Sequence, residues 1–156
     1  MTELAIADTS PLPPHVIRQL LEKLGVTYQA RHDQPGIPAA QRVQTVLLED
    51  AVGALLVLFP QNQLLDLNRL AELTGRKLTA VKPERLKRML GKHDLAMLPG
   101  IPALTSSPCL YDERLLDVPS LYIQSGQPGV LLELGTEAFK GCLLYTSPSP
   151  RDKRQS

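Results

Sequence analysis

The side chains that most often carry out chemistry are few in this sequence and lie far apart. No histidine has a metal-ligating residue three or four positions away, so metal catalysis has little support; the histidines are His15, His32 and His93. Ser106 and Ser107 lie in a stretch rich in Pro, Ser and Thr, without an obvious base and without a nucleophile elbow. No glycine-rich phosphate loop is present. If the chain is an enzyme, we expect no cofactor, no metal and no marked covalent nucleophile.

Basic side chains, in contrast, are concentrated in one part of the chain. Lys and Arg number 17 against 16 Asp and Glu, yet the stretch from Arg69 to Lys92 carries eight cations and two acids. Such a stretch is typical of a nucleic-acid contact, and equally of two solvated helix faces. The candidate nucleic-acid contacts are Arg76, Lys77, Lys82, Arg85 and Arg88.

Length and composition indicate one globular domain. The chain has 156 residues, of which 43% are hydrophobic and only 4% aromatic, so its core must be built from aliphatic side chains. Cys109 and Cys142 are too few for a disulfide scaffold. The first ten residues do not resemble a signal peptide, and no apolar run reaches the ~18 residues of a membrane span. We therefore expect a cytoplasmic protein.

The periodicity of apolar residues predicts helices and strands in a mixed order. A first helix carries Val16 to Leu24 and ends at Gly25, and a second follows Asp66 as its N-cap, with Leu67, Leu70 and Leu73 facing inward. Strands and helices do not alternate with the long, regular βαβ period of a doubly wound fold. These elements therefore predict an α/β domain with a mixed sheet. A third helix is predicted over 83–90, a loop over 98–108, central strands over 43–48 and 54–59, and other strands over 27–30, 78–81, 121–124 and 130–134.

The last residues do not fit the rest of the chain. A helix is expected to begin with Thr136 as its N-cap, but prolines at 148 and 150 follow, so we expect this helix to stop almost at once. The segment 142–156 also resembles a translated sequencing adapter. We predict a domain over 1–141, a non-native tail over 142–156, and a natural protein that continues beyond residue 141, so that this chain is a fragment.

The succession of segments from Leu20 to Phe139 resembles the YbaK/ProX-type aminoacyl-tRNA deacylase family. The resemblance is carried by LLEKLGVTYQARHDQPGIPAAQRVQTVLLED, GALLVLFPQNQLLDLNRLAELTGRKL, LPGIPALTSSPCLYDERLL and YIQSGQPGVLLEL. It implies a mixed, partly closed β-sheet with flanking helices and a pocket for the aminoacylated 3′ end of tRNA. The implied reaction is hydrolysis of the ester that joins a wrong amino acid to the terminal ribose.

The resemblance also implies which residues form the site. The family's lysine-threonine pair falls on Gln44 and Thr45, so the threonine is kept and the lysine is not. Asp112 matches an acidic position and is expected to orient groups, or only to accept hydrogen bonds from turn amides. The family's Gly/Pro loop and hairpin bend correspond, with a shortened spacing in the loop, to implied substrate-binding residues Gly100, Ile101, Pro102 and Gly126.

Two functions are compatible with this pattern. The first is a trans-editing deacylase, bound to the tRNA acceptor end and weakened because Gln44 offers no charge to a phosphate. A hydrogen bond to a charged group contributes ~1.5–3 kcal/mol, so the loss could cost about ten- to a hundredfold in substrate capture. The second is a non-catalytic sensor module, the N-terminal part of a larger bacterial signalling protein with an HDOD-type domain.

Overall fold

The structure is a computed structural model that describes residues 11–145 of the chain. Its helices are α1 (His15–Leu24), α2 (Leu67–Thr74), α3 (Pro83–Gly91), α4 (Pro102–Thr105) and α5 (Thr136–Tyr145). Its strands are β1 (Gln29–His32), β2 (Val43–Glu49), β3 (Ala54–Pro60), β4 (Thr79–Ala80), β5 (Cys109–Tyr111), β6 (Ser120–Gln124) and β7 (Val130–Gly135). Two 3₁₀ turns cover Ala39–Gln41 and Glu113–Asp117.

The strands form two sheets that meet along one side. One sheet has the order β4-β2-β3-β5 and the other the order β1-β7-β6. All pairs are antiparallel except β3 with β5. A single bridge between Arg42 and Tyr122 joins the two sheets without closing a barrel. The expected mixed, partly closed sheet with flanking helices is thereby confirmed.

Two apolar clusters lie on opposite faces of the four-stranded sheet. The larger fills the space between the two sheets and takes Val43 and Leu47 from β2. The smaller lies on the outer face, where α2 covers it, and takes Leu48 from β2. Side chains of a strand point alternately to the two faces, so β3 contributes Leu56 to the inner cluster and its neighbours to the outer one. The prediction that β2 and β3 are central strands is confirmed.

Helix α2 begins and ends where the sequence predicts, but fewer of its leucines are buried than predicted. The side chain of Asp66 accepts hydrogen bonds from two backbone amides, and Gly75 ends the helix in the left-handed conformation. Only Leu70 is buried, whereas Leu67 is 46% and Leu73 68% exposed. The prediction that all three leucines face inward is wrong, because the two outer leucines flank Leu70 at the margins of the helix face that the sheet covers.

Helix α5 continues well past the point at which it was expected to stop. It runs to Tyr145, and its buried residues include Phe139, Cys142 and Leu143. Burial of these side chains favours the helix, and the prolines come only after its end. Thr136 is the first residue of this helix and not its N-cap as predicted; its hydroxyl donates to the carbonyl of Val118 and its amide to that of Pro119. The non-native origin of 142–156 stays a prediction, and residues 146–156 lie outside the described residues.

Other predicted boundaries differ by small amounts. Strand β1 begins two residues later than expected, and the predicted loop over 98–108 contains the short helix α4. The hairpin of β6 and β7 is confirmed. In the described part of the chain, no helix combines the length and the apolar character needed to cross a membrane.

Candidate functional site

Gln44 and Thr45 lie on opposite faces of β2. Because side chains alternate along a strand, Gln44 shares the outer face with Val46, while Thr45 points into the space between the sheets. The Thr45 hydroxyl is buried and has no hydrogen-bond partner among the described residues. Two residues that the sequence analysis treated as one pair therefore have different surroundings, and only Gln44 lies on the outer face.

The loop over 98–102 packs against β6 and against Thr45. The backbone amide of Gly100 donates to the carbonyl of Gln124 at 3.1 Å. A Cβ atom at Gly100 would lie 2.9 Å from the Cβ of Ile123 and 3.2 Å from the Thr45 Oγ1. Only glycine allows this close approach. The structure thus brings Thr45 and Gly100 together in the interior.

The rest of this loop is also buried. Ile101 is 1% exposed and belongs to the main cluster, and Pro102 is the first residue of α4. Proline is favoured at that helix position because its missing N–H would have no helical acceptor. Ile101 and Pro102 therefore fix the loop in place, and all five residues of the loop over 98–102 are buried, so none of them is open to a substrate in this structure.

Gly126 anchors the segment that leads into the same loop. Its φ of +99° is a conformation that favours glycine, and its carbonyl accepts from the amides of Ala96, at 3.0 Å, and Met97, at 3.2 Å. A Cβ atom here would lie 2.8 Å from a methyl carbon of Leu95. The hairpin of β6 and β7 thus holds the segment 95–100 at both ends, through Gly126 and through Gln124.

Asp112 is an ionised carboxylate held by its own turn. Its Oδ1 accepts from the backbone amide of Arg114 at 2.9 Å, and the Arg114 guanidinium donates to both oxygens. The hydrogen bond from this guanidinium lowers the pKa of the Asp112 carboxyl below its usual range. A carboxylate so stabilised is a weak base. The geometry fits the expected role as an acceptor of turn amides.

Asp112 and Gln44 lie on the same side of the molecule, in one row across three strands. Gln44 pairs with Phe59 of β3, and Tyr111 of β5 pairs with Leu58, which places Asp112 beside Phe59. Two strand spacings separate Gln44 from Asp112, about 10 Å between Cα atoms. The part-buried ring of Phe59 forms the floor between them. This row is the candidate substrate surface.

The predicted nucleic-acid contacts fall into two groups. Arg76 binds both oxygens of Asp50, at 2.8 and 2.6 Å, and this bond holds the pKa of the Asp50 carboxyl well below its usual range. Arg85 pairs with Glu49. Their charges are therefore balanced locally. The other three are exposed and form no ion pair with a described residue; they are Lys77, Lys82 and Arg88.

These cations lie at the far end of β2 from Gln44. Glu49 is five residues further along the strand, a distance of about 17 Å. The structure therefore does not bring the basic group next to Gln44.

Arg42 is a functional candidate that the sequence analysis missed. It lies two residues before Gln44, on the same face, and pairs with Asp33 at 2.8 Å. Its guanidinium also donates to the carbonyls of Ile37, at 3.3 Å, and Gln34. Arg42 thus fixes the loop between β1 and β2 beside the candidate substrate surface. Its spacing from Gln44 was visible in the sequence, but its carbonyl acceptors were not.

The described residues do not form a metal site, and one of the two thiols is buried. No group of three or more His, Cys, Asp or Glu side chains could hold a metal ion in that part of the chain. Burial raises the pKa of the Cys142 thiol to about 11, so it is protonated at neutral pH and unreactive.

Comparison with known proteins gives the family. The model described as the aminoacyl-tRNA editing domain matches residues 22–142, which is most of the chain. The chain belongs to this family. The editing-domain match includes the whole candidate substrate surface and helix α5 up to Cys142.

Solved structures agree with this family. A candidate trans-editing enzyme for prolyl-tRNA synthetase is 22% identical with a TM-score of 0.71, over 85% of this chain and 94% of that one. A candidate signal transduction protein from Marinobacter aquaeolei VT8 is 25% identical with a TM-score of 0.76, over 86% of this chain. The editing-domain chain spans only 29% of that second protein's length. Among curated proteins, no sequence matches that of the present chain significantly.

Proposed function

We propose that this editing domain hydrolyses the ester of mischarged aminoacyl-tRNA, with Gln44 and Asp112 on either side of the terminal nucleotide. The observation that carries the proposal is the match of the editing-domain family over residues 22–142. The row of Gln44, Phe59 and Asp112 supports it, because it offers a donor, an apolar floor and an anion on one face.

The reaction needs positioning more than covalent machinery. Water must reach the ester carbonyl, and a donor must stabilise the negative charge that develops on its oxygen. The amide of Gln44 can supply such a donor. The Asp112 carboxylate can accept from a ribose hydroxyl but is a poor base. Part of the help is expected from the substrate's own ribose hydroxyl, as the family resemblance implies, since it can accept a proton from the attacking water while it donates its own proton to the leaving ribose oxygen.

The acceptor stem is proposed to lie along the exposed cations at the other end of β2. Lys77, Lys82 and Arg88 are free to contact phosphates, whereas Arg76 and Arg85 would first have to leave Asp50 and Glu49. Phosphate contacts release counterions, so binding is expected to weaken steeply with salt. Binding of tRNA in the cytoplasm remains a proposal.

The test is single-turnover deacylation of a panel of mischarged tRNAs by the full chain and its Gln44→Lys variant. Lysine restores a charge, so we expect kcat/KM to rise about ten- to a hundredfold for one substrate of the panel. Gln19→Lys, which adds the same charge on α1, is the control and is expected to behave as the parent.

The outcomes separate the alternatives. Activity of the parent well above buffer supports a deacylase that tolerates Gln44. If only the Gln44→Lys variant is active, the candidate substrate surface is intact but the parent chain does not catalyse hydrolysis. If neither chain hydrolyses any substrate and neither binds tRNA at low salt, the proposed function is wrong.

A second candidate is a sensor module of a longer signalling protein. It is favoured by the match to the Marinobacter protein, a candidate signal transduction protein whose length is more than three times that of the matched part. In this case the domain would bind tRNA or a small molecule without turnover, and an HDOD-type domain would follow in the natural chain. The natural sequence beyond residue 141 distinguishes the two, because a long regulatory domain there favours the sensor.

A further inference from the structure

Three adjoining cavities surround His93, on a side of the molecule where the candidate substrate surface has no part. Their volumes are about 360, 190 and 290 Å³, and His93 lines each of them. One lies between the start of α1, the segment 93–96 and the turn between β6 and β7, one between α3 and α4, and one between α1 and α4. None of the three is lined by Gln44, Phe59 or Asp112.

The walls of these cavities are apolar. Leu104 of α4 lines two of them, together with Leu20 of α1 in one and with Leu86 and Met89 of α3 in the other. These side chains are only partly buried although they pack on the main cluster. The cavities are therefore shallow extensions of the core surface that remain open to solvent.

The rims of two of the three cavities each carry one lysine, whereas the cavity of about 360 Å³ has Asp94 and no Lys or Arg. Lys23, at the end of α1, and Lys92, just after α3, each line one cavity, and His15 lines the third. The only acidic residue that lines them is Asp94. An apolar floor with a cationic rim is complementary to a molecule that is apolar at one end and anionic at the other.

The backbone at His93 is held in an unusual shape. Asp94 has a φ of +57°, which a residue with a side chain seldom adopts, and its amide donates to the carbonyl of Gly91 at 3.2 Å. The amide of Leu95 reaches back to Leu90 at 3.0 Å. This tight turn sets His93 where the three cavities meet. A left-handed residue with these two hydrogen bonds is a common way for a helix such as α3 to end, and Asp adopts it more readily than most residues.

We propose that the cavities around His93 bind a small amphipathic anion, a carboxylate or phosphate joined to an aliphatic or aromatic group. The binding site is separate from the candidate substrate surface and goes beyond the proposed deacylation. A small molecule fits better than an acidic peptide because the cavities are concave and converge on one residue. Only the cavity of about 360 Å³ reaches the usual size of a ligand pocket by itself, so the ligand is expected to extend across adjoining cavities.

The probes are decanoate and decyl phosphate, titrated into the full chain and followed by amide and methyl chemical shifts. We expect saturable shifts at His93, Leu104 and Leu20 for both. Decanol lacks the anionic group and inorganic phosphate lacks the alkyl group. Each is therefore expected to bind at least tenfold more weakly than decanoate or decyl phosphate. If decyl phosphate binds and decanoate does not, the anion is specifically a phosphate.

Charge reversal provides the decisive variant. Lys23→Glu with Lys92→Glu is expected to weaken binding about tenfold or more, since both residues are exposed and the fold does not depend on them. The matched control, Arg69→Glu with Lys77→Glu, places the same change on exposed residues outside the cavities and is expected to leave binding unchanged. Equal losses in both variants, shifts that map elsewhere, or binding of an acidic peptide but neither probe would overturn the proposal.

Discussion

At the scale of single residues, Thr45 has a different role from its neighbour Gln44. Its hydroxyl is buried without a partner, a state that normally costs free energy. It touches the position where Gly100 would carry a side chain. Thr45 therefore packs against the loop over 98–102 and positions it, and of the two residues only Gln44 lies on the outer face of β2.

Thr45→Val is expected to stabilise the domain. Valine has nearly the same shape and carries no polar atom to leave unsatisfied, so the free energy of unfolding should rise by about 1 kcal/mol. Urea unfolding measures this, with the exposed Thr27→Val as control. Deacylation should not change. A large loss of deacylation by a stable Thr45→Val variant would mean that the hydroxyl contacts the substrate.

Gly100→Ala is expected to destabilise the domain. The added methyl group would lie 2.9 Å from the Ile123 Cβ, an overlap that backbone atoms must relieve. Overpacking of this kind costs ~1–3 kcal/mol. Gly141→Ala in α5 meets nothing within 4 Å and should be neutral or stabilising. Equal thermal stability of the two variants would show that the Gly100 loop is free to move.

At the scale of elements, the pair of Arg76 and Asp50 joins α2 to the turn between β2 and β3. Arg76 follows the C-terminal end of α2, and Asp50 also accepts from the amides of Val52 and Gly53 within that turn. The same arginine donates to the carbonyl of Gly53 at 2.9 Å. The pair fixes the helix over the outer apolar cluster.

The ion pair of Arg76 and Asp50 makes the free energy of unfolding depend on pH. Arg76 lowers the pKa of Asp50 in the folded state, so the folded protein binds fewer protons than the unfolded one below about pH 4. The stabilisation is present above that pH and is lost as the pH falls. Arg76→Gln should flatten the decrease of the free energy of unfolding between pH 5 and pH 2, as measured by urea unfolding. Arg69→Gln, which removes an unpaired cation, should leave the slope as in the parent.

The sequence predicted regular elements better than it predicted their surroundings. Apolar runs and end signals such as Asp66 and Gly75 are local, so α2 and the two central strands were placed correctly. The exposure of Leu67 and Leu73 depends on how far the sheet extends beneath α2, which no local pattern contains. In the same way, the charges of Arg76 and Arg85 were visible, but not the acids that neutralise them.

At the scale of the whole molecule, α5 closes the main core. Phe139, Cys142 and Leu143 are buried there, and α5 packs beside α1, α4 and β7. The family match also reaches residue 142. The domain boundary predicted at 141 therefore falls within a packed helix, whatever the origin of the residues that follow.

Truncation tests this boundary. A chain that ends at residue 141 loses two buried side chains that a chain ending at residue 145 keeps. Loss of one large buried aliphatic side chain costs ~2–5 kcal/mol, so the shorter chain should unfold at clearly lower urea concentration or fail to fold. The chain ending at 145 should match the full chain. Equal midpoints for both truncations would place the end of the folded domain at 141.

Strand β1 has its partner near the other end of the domain. Gln29 pairs with Glu133 and His32 with Val130, so β1, the first strand of the described residues, remains unpaired until residues 130–133 have left the ribosome. The sheet of β4, β2, β3 and β5 lies within residues 43–111 and has all its strands earlier. During translation the exposed edge of β1 is available to other nascent chains, and ribosomes that stall before residue 130 release a product that cannot close its core.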